Sequence, residues 1–129
     1  MNPRSCYCGL EKPFSECCQP YCSGSKKAPT ALDLMRSRYS AYANGSIDYL
    51  ITTTHFSQRQ NHSKKDTLDW AFANHWLKLE IIDFTENTVE FKAFFQPKNT
   101  QNLRIQIHHE KSSFVKDNGI WFYLDGIYF

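Results

Sequence analysis

From residue 30 onward the apolar positions of the chain first repeat every three to four residues and later every second residue. Leu32, Met35, Tyr39 and Tyr42 fall at spacings of three, four and three, one stripe of a helix. Thr30 stands in the N-cap position with Asp33 three residues on, a short-acid form of the capping box, and Gly45 ends the run. A second short helix is predicted over residues 46–53, with Ile47, Leu50 and Ile51 turned inward. Residues 54–62 are polar and read as irregular. Ser63 with Asp66 then opens a third helix that reaches about Asn74 and carries Leu68, Ala71 and Phe72.

At Trp76 the period changes to two. Over Trp76–Phe84, Leu77, Leu79 and Ile81 oppose Lys78 and Glu80, with Asp83 nearby, and Thr-Glu-Asn-Thr turns the chain. Val89, Phe91, Ala93 and Phe95 share one face of the next strand, with Glu90 and Lys92 on the other. Residues 97–102 read as a turn. Leu103–Phe114 is a long strand with Leu103, Ile105 and Ile107 on one face; by that parity His109 points to the apolar side, and His108 and Glu110 point away. Lys116-Asp117-Asn118-Gly119 makes a tight hairpin into Ile120–Tyr128. Three helices followed by a four-stranded antiparallel meander is an α+β fold, with the helices on one face of a twisted sheet. The last strand is apolar at both parities, so both its faces need cover, which a curled sheet with a pocket on its concave side would supply.

Composition narrows the functional classes. A chain of 129 residues fits one domain with a small appendage. Ten Phe, seven Tyr and three Trp are many for this length, and they suit either a core or an aromatic pocket. The net charge of +2 is small and dispersed, which argues against a nucleic-acid partner. No run approaches the roughly 18 apolar residues of a membrane span, and Met1–Cys8 carries no apolar stretch of a signal peptide. A soluble, cytoplasmic protein is expected.

The specific chemistry lies at the other end. All five cysteines fall within residues 6–22. Cys6 and Cys8 are one residue apart, and Cys17 and Cys18 are adjacent, a spacing that suits one structural zinc ion in a tetrahedron of four thiolates. Iron in the same ligand set, or a redox dithiol, are the alternatives. Gly9 lets the loop turn behind Cys8, Arg4 and Lys12 place positive charge near the thiolates, and Cys17 and Cys18 suit the first turn of a short helix. Cys22, four residues after Cys18, reads as a substitute ligand or a spare thiol. Four thiolates around one divalent ion subtract two charges and cancel the net +2. They also leave no position for a reacting water, so the site is structural or a docking surface. The chain divides into a metal-binding segment, residues 1–24, a polar connector around 23–29, and a larger domain, residues 30–129.

The spacing of Cys6, Cys8, Cys17 and Cys18, with Gly9, Lys12 and Phe14 in the loop, resembles the SEC-C motif, the zinc knuckle of the SecA preprotein translocase tail; Leu10 and Glu11 depart from its usual Ser-Gly pair. Most of the rest is similar to the YchJ family of uncharacterised bacterial proteins. The resemblance rests on Met35–Tyr42, Asp48–Leu50, Thr54-His55, Val89–Ala93, His109-Glu110, Phe114 and Trp121–Gly126. It implies an NTF2-like cone behind the knuckle, and it brings no established activity.

The candidate pocket groups are Arg38, Tyr39, His55, Trp70, His109, Trp121, Tyr123 and Asp125. Arg36 and Arg38 flank the first helical stripe, either as rim charges or as the anchor of a buried carboxylate or an anionic ligand. His109 is a hydrogen-bonded core residue, or an acid/base unit with Asp125 or Glu110. No nucleophile motif, phosphate loop or paired-carboxylate signature is present. The leading expectation is a non-enzymatic module whose knuckle docks a protein partner and whose domain holds a ligand or peptide. The alternatives are a small isomerase, dehydratase or hydrolase using His109 and Asp125 in an aromatic pocket, and a purely structural zinc site.

Overall fold

The elements follow one another as the periodicities require. A 3-10 turn at Phe14–Glu16 leads into α1 (Gln19–Cys22), then α2 (Ala31–Asn44), α3 (Ile47–Thr52), a second 3-10 turn at Phe56–Asn61, and α4 (Lys64–Phe72). Four strands complete the chain: β1 (Asn74–Phe84), β2 (Thr88–Pro97), β3 (Gln106–Asp117) and β4 (Ile120–Tyr128). They pair antiparallel in the order β1-β2-β3-β4. The result is the predicted α+β fold, a helical layer on a meander. This computed structural model describes residues 5–98 and 104–129. Arg4, the part of the predicted turn at residues 99–102, and Leu103 lie outside the described residues.

Local chemistry sets the ends of α2. Thr30 Oγ1 accepts the Asp33 amide hydrogen at 3.0 Å and donates to the Asp33 carboxylate at 2.9 Å. Gly45 follows with φ +81°, a left-handed conformation, and a Cβ there would also meet the Phe72 ring at 2.8 Å. Between these ends the helix buries Ala31, Leu34, Met35 and Tyr39 against Val89, Phe91, Ala93, Phe114, Trp121 and Tyr123 of the sheet. A second cluster joins Ala41, Ile47, Leu50 and Ala71 of α2, α3 and α4. Leu68 and Phe72, two of the apolar residues of the third helix, are exposed. Ala71 is the buried residue of helix α4, Trp70 packs edge-on against Phe95, and the Phe72 ring lies across Gly45. Residues 54–62 are more ordered than expected: the His55 side chain caps the second 3-10 turn by accepting the Ser57 amide hydrogen.

Bulges and pairing decide which strand residues face the helices. Trp76 pairs with Phe95 and Lys78 with Phe94, so Leu77 is an extra residue in β1. The bulge resets the alternation: Trp76, Leu79 and Ile81 pack on the core, and Leu77 turns out, 47% exposed. In β3 the parity read from Leu103, Ile105 and Ile107 is reversed. Phe91 pairs with Glu110 and Ala93 with His108, and cross-strand partners share a face. Because Phe91 and Ala93 are buried, His108 and Glu110 face the helices, whereas Ile105, Ile107 and His109 lie on the outer side. The hairpin forms as predicted, with Asn118 at φ 53° and Gly119 at φ 78°, the left-handed pair of a type I′ turn.

The free edge of β4 is covered. Thr54 forms a parallel bridge to Tyr123, through His55 N to Tyr123 O at 2.8 Å and Tyr123 N to Thr53 O at 2.7 Å. His55 then packs edge-on against Phe122. Helix α2 covers Trp121 and Tyr123 on one face of β4 and His55 packs on Phe122 of the other, while Ile127 and Tyr128 at the end of the strand are exposed. Among the described residues no helix is long and apolar enough to cross a membrane.

Candidate functional site: a thiol cluster and a cavity on opposite sides of one helix

The cysteine segment closes on itself through its backbone. The Cys6 amide donates to Lys12 O at 2.7 Å, the Gly9 amide donates to Cys6 O at 3.1 Å, and Gly9 takes φ +95°. These bonds bring Cys6 and Cys8 beside Cys17 and Cys18, which lie between the first 3-10 turn and α1. The four sulfurs all lie within 4.8 Å of one another, with Cys8 to Cys17 at 3.7 Å and Cys17 to Cys18 at 4.0 Å. A tetrahedron with metal–sulfur bonds of about 2.3 Å separates its sulfurs by about 3.8 Å, so the set fits a metal ion. Without one, the group cannot carry four thiolates. Hydrogen bonds from Cys18 and Cys8 pull the Cys6 thiol down. Burial and the neighbouring charge of Cys8 push Cys17 up to about 12, and the hydrogen bond to Cys6 pushes Cys18 up. Cys22 packs beside the cluster without joining its four sulfurs, and donates to Ser37 O at 3.6 Å.

This segment packs on the back of α2. Cys6 Sγ lies 3.5 Å from Ser40 Oγ, and Arg36 donates to Cys8 O at 3.3 Å. Ser37 and Ser40 are completely buried beneath it. Arg36 therefore holds the cysteine loop.

On the other side of α2, between that helix and the core face of the sheet, lies a cavity of about 210 Å³. Glu110 stands in it as a buried carboxylate. Its Oε1 accepts from His108 Nε2 at 2.8 Å, and its Oε2 accepts from Ser112 Oγ at 2.6 Å and Tyr123 OH at 2.9 Å. Burial alone would raise its pKa, but the bonds from His108, Ser112 and Tyr123, with the charge of His108, hold it below the usual carboxylate value. The carboxylate lies directly over Gly126, where a Cβ would collide with Glu110 Oε2 and Cδ. Arg38 reaches the same cavity with its guanidinium 4.6 Å above the Tyr123 ring. Its Nη1 donates to Leu50 O at 2.9 Å, Thr53 Oγ1 at 2.7 Å and Thr54 Oγ1 at 3.4 Å. Burial raises the pKa of Tyr39, Tyr42 and Tyr123, so their hydroxyls stay protonated. Burial and the Arg38 charge lower that of His62, at the rim. Trp70 and Trp76, 5.7 Å apart and edge to face, form an aromatic wall with Phe91.

Of the predicted pocket residues, Arg38, Tyr39, Trp70 and Tyr123 meet at this cavity. The other four do not. His55 lies on the far side of β4, with Nε2 3.1 Å from the Asp117 carboxylate and Nδ1 2.7 Å from Ser57 Oγ. Trp121 is buried in the core and borders a different hollow. His109 faces outward, donating to Glu90 at 2.8 Å and packed on Phe129. Asp125 is exposed opposite Ser113. His109 and Asp125 do not converge on the cavity because their strand positions face the outer side of the sheet. Sequence reasoning named Glu110 only as a partner of His109, and left it, His108, Ser112, Tyr42 and His62 out of the pocket. The signal for the first three was the clean alternation of β2, carried across one antiparallel pairing. The other hollow, about 280 Å³, runs from the connector to β4; its charged groups Lys26, Lys27 and Asp48 are all exposed.

Comparison with known proteins gives a consistent picture. Residues 30–126 match the family model described as the YchJ middle NTF2-like domain. A UPF0225 protein of Geobacter sulfurreducens is 40% identical over 94% of this chain and 77% of its own length. One from Vibrio cholerae is 37% identical over 95% of this chain and 82% of its own. Among solved structures, the chain is similar to a SEC-C motif containing protein from Rhodopseudomonas palustris, with a TM-score of 0.84, 32% identity, and coverage of 95% of this chain and 97% of the other. A second SEC-C motif containing protein, from Psychrobacter arcticus, gives a TM-score of 0.77 at 28% identity, covering 97% of this chain and 81% of the other.

Proposed function

This chain belongs to the YchJ family, and from that we propose that it is a zinc-containing, non-enzymatic binding module whose cavity holds a small ligand. The observation that carries the reading is the position of α2. One side of the helix is buried with Ser40 against Cys6 of the thiol cluster and Ser37 against Cys22 and Tyr49, and the other presents Arg38 and Tyr39 to the cavity. Zinc held by Cys6, Cys8, Cys17 and Cys18 supplies a closed, structural cross-link. Arg36 ties that loop to α2, so the metal site stiffens the helix that shapes the cavity. The enzyme alternative draws no support from His109 and Asp125, which lie outside the cavity. Free thiols clustered in one segment support a reducing compartment, the cytoplasm.

Two measurements test this. Native mass spectrometry is expected to give one zinc per chain, and iron in its place would overturn the metal assignment. An NMR screen of neutral and charged aromatic fragments is expected to shift the indole signals of Trp70 and Trp76. A screen that leaves both unmoved would overturn the ligand-binding reading.

A second use of the knuckle, docking of a protein partner, is supported by Tyr7. This side chain is 47% exposed on the outer loop and braced edge-on by Phe14. Pull-downs with wild type and Tyr7→Ala should differ in captured partners; identical partner sets would sink this use.

A further inference from the structure

We infer that the cavity takes a small aromatic carboxylate, with the carboxylate on Arg38 and the ring against Trp70 and Trp76. The inference rests on the ligand-binding reading above and names the ligand class for that site. It starts from an imbalance between two buried charges. Arg38 is 6% exposed, yet among the described residues no carboxylate lies within ion-pair distance of it. Its hydrogen-bond partners are one carbonyl and two hydroxyls, and all three fall on Nη1. No side-chain nitrogen or oxygen of the described residues is both sealed from solvent and unpaired. The remaining N–H groups of Arg38, on Nε and Nη2, are therefore not sealed from solvent, and Arg38 lines the cavity. A buried guanidinium with a free donor edge matches the two oxygens of a carboxylate.

Glu110 is the opposite case. Its oxygens already accept from His108, Ser112 and Tyr123, three donors supplied by the fold. The acid is satisfied and the base is not, which sets the sign of the ligand. A cationic ligand would suit aromatic walls, but it would meet Arg38 and find both Glu110 oxygens already hydrogen-bonded. One guanidinium offsets one negative charge, and with the Glu110 carboxylate in the same cavity a doubly charged phosphate monoester would be left with uncompensated charge.

The surroundings agree with this sign. The hydroxyls of Tyr39 and Tyr42 stay protonated and have no partner among the described residues, so they can donate to a carboxylate. The faces of Trp70 and Trp76 offer stacking to a flat group. A volume of about 210 Å³ is below that of a drug-sized site and admits one ring with its acid.

The test uses benzoate, benzamide and benzylamine with the zinc-loaded full chain, following the Trp70 and Trp76 indole signals by NMR. Benzoate is expected to bind at least about tenfold more tightly than benzamide, which has the same shape without the charge. Arg38→Lys keeps the charge but loses the fork, and should weaken benzoate about tenfold, with unfolding curves confirming a folded variant. Glu110→Gln removes a like charge and should strengthen benzoate by about threefold or more. If Arg38→Lys does not fold, the amide comparison and Glu110→Gln decide by themselves. Equal binding of benzamide would leave the cavity a ligand site and overturn the carboxylate. Preference for benzylamine, abolished in Glu110→Gln, would overturn it by making the acid the anchor. If no probe moves the indoles, both this inference and the ligand-binding reading fall. A peptide with a free C-terminal phenylalanine that binds more tightly than benzoate would overturn the small-molecule assignment.

Discussion

Glu110 keeps its charge where burial alone would protonate it, because three donors from β3 and β4 converge on its two oxygens. Its folded pKa lies below the ordinary 4.5, so folding favours the ionised form. This contribution to stability is fully present above the ordinary value and is lost as pH falls through the lowered folded value. Urea unfolding of wild type should therefore weaken more steeply below pH 4.5 than that of Glu110→Gln. Parallel profiles for the two proteins would contradict the lowered pKa. The same carboxylate needs Gly126 beneath it. Gly126→Ala should cost about 2 kcal/mol or more by displacing it, measured as a lower urea midpoint at unchanged slope.

At the scale of elements, α2 does the most because it is buried on two sides. Its capping pattern and its Met35–Tyr39 stripe explain the side on the sheet. They do not explain why Ser37 and Ser40 are completely buried: Cys6 of the cysteine loop covers Ser40, and Cys22 and Tyr49 cover Ser37. Metal content separates ligand from neighbour within that loop. Cys22→Ser should keep the full metal complement, because its sulfur reaches Ser37 O and not the cluster. Cys18→Ser should lose it, and elemental analysis of the two purified variants reads both outcomes.

Over the whole molecule, the cysteine segment and the larger domain share one helix, so they should not melt independently. A single thermal transition is expected for the zinc-loaded chain, and a strong chelator should lower its midpoint, since a structural zinc site adds folding free energy on the order of 10 kcal/mol in isolated fingers. A main transition untouched by chelation would show that the metal does not support the domain.

Much of the architecture was legible in the chain because its signals are local. The spacing of Cys6, Cys8, Cys17 and Cys18, the Thr30 cap, the alternation from Val89 to Phe95 and the Asn118-Gly119 turn each act over a few residues. The candidate site was legible in part, through Arg38, Tyr39, Trp70 and Tyr123. It failed at β3, where an apolar run at Ile105 and Ile107 marks the outer face of the sheet and not the core.

The sequence by itself determined which four cysteines cluster, the order of helices and strands, and the supply of aromatic and charged side chains. Only the tertiary structure decided which of those side chains meet. Facing is a property of pairing: a bulge at Leu77 or the register of Glu110 on Phe91 reverses a strand's inward set without changing its composition. That register brings His108 and Glu110 into the cavity opposite Arg38 and leaves His109 and Asp125 outside it.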